Sequence, residues 1–389
     1  MHILTLTSLF PNTRQPILAV FVRTRMESFV RKYGHKWTVV APVPYFPKLP
    51  FKVSPRYDAL ARVPAREDDR GYPVYHPRYL VTPRYGMGFY GRWMAASARS
   101  LVREIHARDP IDAIDGHYLY PDGTAAAALG QELGIPVILS ARGTDLNLYP
   151  DLPGIRPLIQ DNLRKARTLI CVSRDLKRKA LALGVPEEKI VVIGNGVDTA
   201  LFHPGDRTAA RERLSLPREA KVFLSVGNLV EGKGFHLVVE ALAGMARKDA
   251  LLAVAGYGPM RARLEGQAAA LGVRERVRFL GPVPNGDLPE WYRAADVFVL
   301  ASAREGWPNV VSEAQACGLP AVATDISGLP EIITDGSLGI LVKERTAAAF
   351  REAMEKAAEF PWDREGIARR GGARTWGAVA EELQRVFLP

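Results

Sequence analysis

The stretch Arg304-Glu305-Gly306-Trp307-Pro308-Asn309-Val310-Val311-Ser312-Glu313 follows the apolar run Asp296-Val297-Phe298-Val299-Leu300. A short apolar run bounded by a glycine turn reads as a buried strand. Pro308 then suits a first helical position, where a missing N–H would be unpaired anyway. The free N–H groups of a helix start, here near Asn309 and Val310, attract phosphate. Glu305 in the turn and Glu313 about one helical turn in bracket that point, and carboxylates accept hydrogen bonds from sugar hydroxyls. A phosphate site flanked by hydroxyl acceptors suits a nucleotide sugar. The same residues also suit a plain strand–turn–helix unit in which Glu313 only complements the helix dipole.

The rest of the chain repeats this grammar. Strand candidates lie at 2–7, 37–41, 111–115, 136–140, 168–173 and 189–193, then at 221–227, 250–256, 276–281, 296–301, 319–324 and 338–342. Helical periodicity separates most of them; 235–246, for example, aligns Phe235, Val238, Val239, Leu242 and Met245. Strands alternating with helices imply parallel sheets. A break near Asn195–Asp198 and a polar stretch at 203–208 divide the strands into two sets. The expected fold class is therefore α/β, two doubly wound Rossmann-like domains with a ligand cleft between them. Residues 42–83 interrupt the pattern with nine prolines and read as an irregular segment. The following Arg84–Met94 alternates arginines with aromatic and apolar residues. That alternation fits an interfacial surface or a loop packed on its own domain.

Glu305-x7-Glu313 with Gly306-Trp307-Pro308-Asn309 inside resembles the signature of the retaining glycosyltransferases of family 4, which have the GT-B fold, and the resemblance spans nearly the whole chain. It implies domains at 1–195 plus 376–389 (acceptor-binding) and 196–375 (nucleotide-sugar-binding), with the helical pattern Trp376–Phe387 crossing back to the first. Gly227-Asn228-Leu229-Val230-Glu231-Gly232-Lys233-Gly234 is similar to the family's second landmark, in which a lysine neutralises the departing diphosphate. Lys233 takes that place, while Asn228 stands where an arginine is usual. Arg304 or Arg142 are candidates for the missing charge. Glycine turns at Gly256-Tyr257-Gly258-Pro259 and Gly281-Pro282-Val283 would line the nucleotide pocket, with the base near Val283, although ordinary turns explain both. His117, in Asp115-Gly116-His117-Tyr118, matches the family's amino-domain histidine that contacts the donor sugar. Ser140-Ala141-Arg142-Gly143-Thr144-Asp145 is similar to the family's His-Gly-x-Asp element with arginine in place of histidine. Asp145 would bind an acceptor hydroxyl, orient a neighbour or cap a helix. The paired glycines usual after the first strand are missing from Pro16–Phe21.

Composition is consistent with this. The length of 389 residues suits two domains. No run approaches the ~18 apolar residues of a membrane span, and Met1–Thr7 reads as a strand rather than a leader. Cys171 and Cys317 sit in apolar segments, as in a reduced cytosolic protein with no cysteine metal site. Residues 1–200 carry 28 Lys and Arg against 18 Asp and Glu, the remainder 24 against 24. A basic half beside a neutral one suggests an anionic partner or surface. Nucleic acid and an anionic membrane both qualify, as does a merely solvated surface, but no RNA-binding aromatic motif or zinc finger accompanies the charge. No metal-ligand spacing occurs, and a lysine with a helix dipole can replace a cation at the leaving phosphate.

The resemblance thus implies metal-independent, retaining transfer from a nucleoside-diphosphate sugar, acting as co-substrate with no further cofactor. The acceptor it implies is a saccharide, lipid-linked as in bacterial cell-surface polysaccharide synthesis, at the inner face of the membrane. Lys233, Glu305 and His117 are the expected catalytic set, and Glu313 the ribose acceptor. A GT-B epimerase or phosphorylase is the enzyme alternative, and a basic nucleic-acid-binding protein the non-enzymatic one.

Overall fold

The computed structural model describes residues 1–45, 60–82 and 86–388. The chain divides into two compact units, Met1–Asn195 with Trp376–Pro389, and Gly196–Thr375.

The first unit is built on β1 (His2–Leu6), β2 (Lys36–Val40), β3 (Val43–Tyr45), β4 (Arg66–Asp69), β5 (Tyr72–Tyr75), β6 (Arg78–Leu80), β7 (Ala113–His117), β8 (Val137–Ala141), β9 (Thr168–Cys171) and β10 (Ile190–Val192). An eight-stranded sheet runs β10-β9-β8-β7-β1-β2-β5-β4, and β3 pairs with β6 separately. All pairs are parallel except the β4–β5 hairpin. Strand order reverses between β1 and β7. In doubly wound sheets ligands bind beyond the carboxyl ends of strands at such a reversal. The helix Trp376–Phe387 belongs to this unit and packs on Val20–Tyr33, with Phe29 and Phe387 rings 5.1 Å apart.

Strands β3 to β6 correct the reading of 42–83 as irregular. Arg66-Glu67-Asp68-Asp69 and Tyr72-Pro73-Val74-Tyr75 lack an apolar pattern because β4 is an edge strand with alternately exposed residues. A tight turn at Arg70 and Gly71, both with positive φ, joins the hairpin. Residues 46–59 and 83 of that segment, and Arg84 and Tyr85 of the aromatic–arginine segment, lie outside the described residues. From Gly86 onward the latter is a 3₁₀ turn leading into the helix Tyr90–Arg108, with Phe89 exposed and stacked on Trp93.

The second unit contains β11 (Val222–Val226), β12 (Leu251–Ala255), β13 (Val277–Gly281), β14 (Val297–Leu300), β15 (Ala321–Thr324) and β16 (Gly339–Val342). Its six-stranded sheet is parallel throughout, in the order β13-β12-β11-β14-β15-β16. Alternation along each strand feeds two cores. Leu224, Val226, Phe298 and Leu300 face one layer, while Phe223, Val297 and Val299 face the other. Strands covered on both faces explain the continuous apolar runs in the sequence. Asp296, just ahead of β14, accepts from Arg211 Nη2 at 2.6 Å and from the Val222 N–H at 2.7 Å, which pins the starts of β11 and β14 together. Here the order reverses between β11 and β14.

Candidate active site

Both strands at that reversal lead to residues expected at the site. β11 leads through Gly227 and Asn228 to the 3₁₀ turn Glu231–Lys233, and β14 leads to Glu305. The Ala303 N–H donates to Gly232 C=O at 2.7 Å, joining the two loops. Gly234 closes the turn at φ 71° and lies so near that a β-carbon there would meet the Ala301 carbonyl oxygen at 2.1 Å. Arg345, after β16, donates from Nε to that same carbonyl at 2.8 Å. This scaffold brings Lys233 Nζ to 2.6 Å from Glu305 Oε1, with side-chain exposures of 29% and 9%. The expected phosphate lysine and sugar carboxylate are therefore an ion pair. Asn228 is exposed, as is Arg304.

The glycine turns fall in line at the ends of β11, β12 and β13. Gly227 N–H donates to Ala255 C=O at 2.9 Å, and Gly256 N–H to Gly281 C=O at 2.7 Å. A β-carbon on Gly256 would lie 1.8 Å from the Gly227 carbonyl oxygen, so only glycine fits. Val283 is partly buried beyond Gly281 and packs on the core. The helix Asn309–Ala316 starts one residue later than the sequence suggests. Pro308 is its cap, at φ −79° and ψ 92°, rather than its first helical residue. Gly306 is buried and Trp307 partly so, with Arg374 over the indole ring at 6.0 Å. Asn309 and Val310 form the first turn, and Glu313 lies one turn in, where Tyr292 Oη donates to its Oε2 at 3.0 Å. Burial pushes the Glu313 carboxyl up to about 7, against the pull of that hydrogen bond.

In the first unit, His117 ends β7 at the other strand reversal. Its ring is fully buried between two partners. Nε2 lies 2.6 Å from Asp115 Oδ2, and Arg142 Nε donates to Nδ1 at 3.1 Å. A guanidinium only donates, so Nδ1 is the acceptor and Nε2 carries the proton. Burial lowers this imidazole to about 4, against the attraction of Asp115, and the ring is neutral at pH 7. Arg142 also reaches Asn195 Oδ1 at 3.2 Å and lies over the Phe21 ring. Any sugar hydroxyl taken up by His117 must first displace one of these partners. Asp145 is fully buried and accepts from the N–H groups of Gly143 (2.7 Å), Arg142 (3.0 Å) and Leu119 (3.2 Å). Both of its carboxylate oxygens are thus engaged by backbone N–H groups. Arg25, 1% exposed, donates to Ser140 Oγ at 3.0 Å in the same cluster, and burial lowers its guanidinium to about 10. Tyr118 follows at φ 83°, a strained conformation for a non-glycine residue and one that clusters at functional sites. Ala19 occupies left-handed backbone at φ 45° in the loop where the paired glycines are missing.

Tyr292, Arg345, Asp115 and Arg25 were not singled out by sequence reasoning. Asp115 carried a signal, being two residues from His117 on one face of a strand. The others reach their partners only through the folding of their own unit.

The two-unit architecture has close structural counterparts. Over 99% of this chain and 98% of the other, it matches sucrose-phosphate synthase from Thermosynechococcus elongatus with a TM-score of 0.81 at 20% identity. HepE of Anabaena, solved in complex with UDP, matches over 99% of both chains with a TM-score of 0.73 at 20% identity. These likenesses define the class of fold, that of the GT-B glycosyltransferases. In sequence, the family description "Glycosyltransferase Family 4" matches residues 26–201 and "Glycosyl transferases group 1" matches residues 206–372. A D-inositol 3-phosphate glycosyltransferase of Geodermatophilus obscurus is 32% identical over 354 residues, 87% of this chain and 71% of that protein. TuaC of Bacillus subtilis, a glycosyltransferase provisionally named for teichuronic acid biosynthesis, is 29% identical over 92% of this chain and 89% of its own length. The chain belongs to the family 4-type glycosyltransferases and is a transferase.

Proposed function

We propose that this enzyme transfers a sugar from a nucleoside-diphosphate donor to an acceptor hydroxyl with retention of configuration and without a metal ion. The observation that carries the proposal is the Lys233–Glu305 pair at the β11/β14 reversal, ahead of a helix start that holds Glu313. Lys233 and the amides near Val310 stabilise the departing diphosphate, in the place a divalent cation would otherwise take. Glu305 accepts from donor-sugar hydroxyls and Glu313 from the ribose, with the base against the backbone near Val283. In the first unit, His117 Nδ1 becomes free to accept from a sugar hydroxyl only when Arg142 releases it. The acceptor attacks from the leaving-group side and passes its proton to a phosphate oxygen, so no protein base is assigned. Of the two candidates for the charge missing at Asn228, Arg304 is favoured, because Arg142 is committed to His117 and Asn195.

For the acceptor we propose a lipid-linked saccharide at the cytoplasmic face of the membrane, in surface polysaccharide or glycoconjugate synthesis. TuaC's name supports a role in polysaccharide synthesis, and the basic excess of residues 1–200 suits an anionic acceptor or surface. No helix among the described residues is long and apolar enough to cross a membrane.

Nucleotide sugars incubated with enzyme, a lipid-linked saccharide extract and EDTA test the proposal. Transfer predicts nucleoside diphosphate release only with acceptor present, unaffected by EDTA, and a product of the donor's anomeric configuration by NMR. An isomerised donor, or turnover that requires inorganic phosphate, would support the epimerase or phosphorylase alternative instead.

A further inference from the structure

Tyr292 lies on the helix Leu288–Ala294 and is fully buried. Its ring sits edge-on to Phe202 (5.9 Å, 67°) and tilted against Phe298 (5.9 Å, 59°), so packing fixes the direction of its hydroxyl. A buried tyrosine hydroxyl needs a partner. The one it meets is Glu313 Oε2, across from the neighbouring helix, at 3.0 Å. A carboxylate can accept at both oxygens. With one oxygen anchored by a rigid phenol, the direction of the other is set.

We propose that Tyr292 is a positioning residue for donor binding: by holding Glu313 Oε2 it aims the second carboxylate oxygen at the ribose hydroxyls of the nucleoside diphosphate. This rests on the reading of Glu313 as the ribose acceptor. Electrostatics supplies a readout beyond geometry. Burial raises the Glu313 carboxyl to about 7, and the Tyr292 hydrogen bond opposes that rise. Cys317, one turn further on, caps the same helix. Arg293 on the helix of Tyr292 and Arg364 on the helix Arg364–Gly371 act on Cys317 rather than on Glu313. The strands behind, β14 and β15, present no titratable side chain. The phenol is thus the chief polar influence on this carboxyl. Without it, Glu313 holds its proton to higher pH and loses its aim, while the Phe202–Phe298 packing survives in Tyr292→Phe.

The test uses whichever of UDP, GDP, ADP and CDP stabilises the wild-type protein, together with its 2′,3′-dideoxy counterpart. Dissociation constants are measured calorimetrically from pH 6 to 9 for wild type, Tyr292→Phe, Glu313→Gln and the double variant. Wild-type affinity for the ribonucleotide should fall as pH drops through about 7, the range in which the carboxylate takes up its proton. Tyr292→Phe should weaken ribonucleotide binding roughly tenfold at pH 7 and move that fall to higher pH. The dideoxy nucleotide should bind both proteins alike, and Tyr292→Phe should add nothing in the Glu313→Gln background. Equal loss for both nucleotides, or additive effects in the double variant, would overturn the positioning role and leave a packing role only. An unchanged Tyr292→Phe would overturn it as well. If the wild type binds none of the four nucleotides, the nucleotide-sugar reading itself fails.

Discussion

Replacing Glu305 by Gln should make the enzyme bind free nucleoside diphosphate more tightly. Lys233 and Glu305 are 2.6 Å apart, one side chain 29% exposed and the other 9%. A diphosphate that recruits Lys233 must first part this pair. Fully exposed pairs contribute at most about 1 kcal/mol, and breaking a buried one costs about 3–5 kcal/mol. A half-buried pair lies between, at roughly 2 kcal/mol. The amide introduced by Glu305→Gln still accepts a hydrogen bond from the ammonium but carries no charge, so about 1.4 kcal/mol is released, or tenfold in affinity. Removing the carboxylate also removes its repulsion of phosphate, which acts in the same direction. A nucleotide sugar behaves differently. It forfeits a charge-assisted hydrogen bond to the sugar, about 1.5–3 kcal/mol, which offsets the gain. Calorimetric titration of wild type and Glu305→Gln with UDP and UDP-glucose, or the pair matching the preferred base, separates the two. The diphosphate should bind the variant about tenfold more tightly, and the nucleotide sugar no more tightly than wild type. A variant that binds free diphosphate no better than wild type would refute the competition argument.

Two further predictions concern the scaffold. Gly234→Ala places a methyl group against the Ala301 carbonyl at a backbone angle that disfavours side chains. It should lower stability by roughly 2 kcal/mol in urea unfolding and weaken diphosphate binding by moving Lys233. Asp122 is fully buried beneath the Ser8 hydroxyl and backbone N–H, and burial raises its carboxyl from 3.8 to about 7. A folded-state value above the unfolded one means its stabilising share is complete below 3.8 and is lost as pH rises through 7. Asp122→Asn should therefore gain on wild type across that window, by up to about 4 kcal/mol at pH 8. Urea midpoints at pH 5 and pH 8 check this, and a difference that is the same at both would contradict it.

What the sequence made legible, and what it hid, follows from burial. The twelve strands expected from apolar runs all form, because parallel strands covered on both faces must be apolar along their length. Glu305, Lys233 and the helix start behind Pro308 were readable because turn glycines and a proline punctuate them locally. The strands within 66–75 were not, since an edge hairpin of Arg-Glu-Asp-Asp and Tyr-Pro-Val-Tyr has only one face to bury. Tyr292 looks in sequence like one more apolar position of an amphipathic helix, and its hydroxyl acquires meaning only when Glu313 arrives from a separate helix. Arg345 belongs to the same class: 44 residues separate it from the carbonyl it holds. The pairing of Arg142 with His117 joins the ends of two neighbouring strands, 25 residues apart in sequence. No spacing rule announces it.

The central claim is that the second unit is a diphosphate-sugar site built around Lys233. Thermal unfolding of the purified wild type and a Lys233→Ala variant with UDP, GDP, ADP and CDP tests it most directly. At ~100 times its dissociation constant a bound nucleotide adds about 2.7 kcal/mol, which is readily seen as a raised midpoint. The account predicts that one nucleotide raises the wild-type midpoint and that Lys233→Ala loses the shift. No shift with any of the four at millimolar concentration, or an equal shift in the variant, would contradict it.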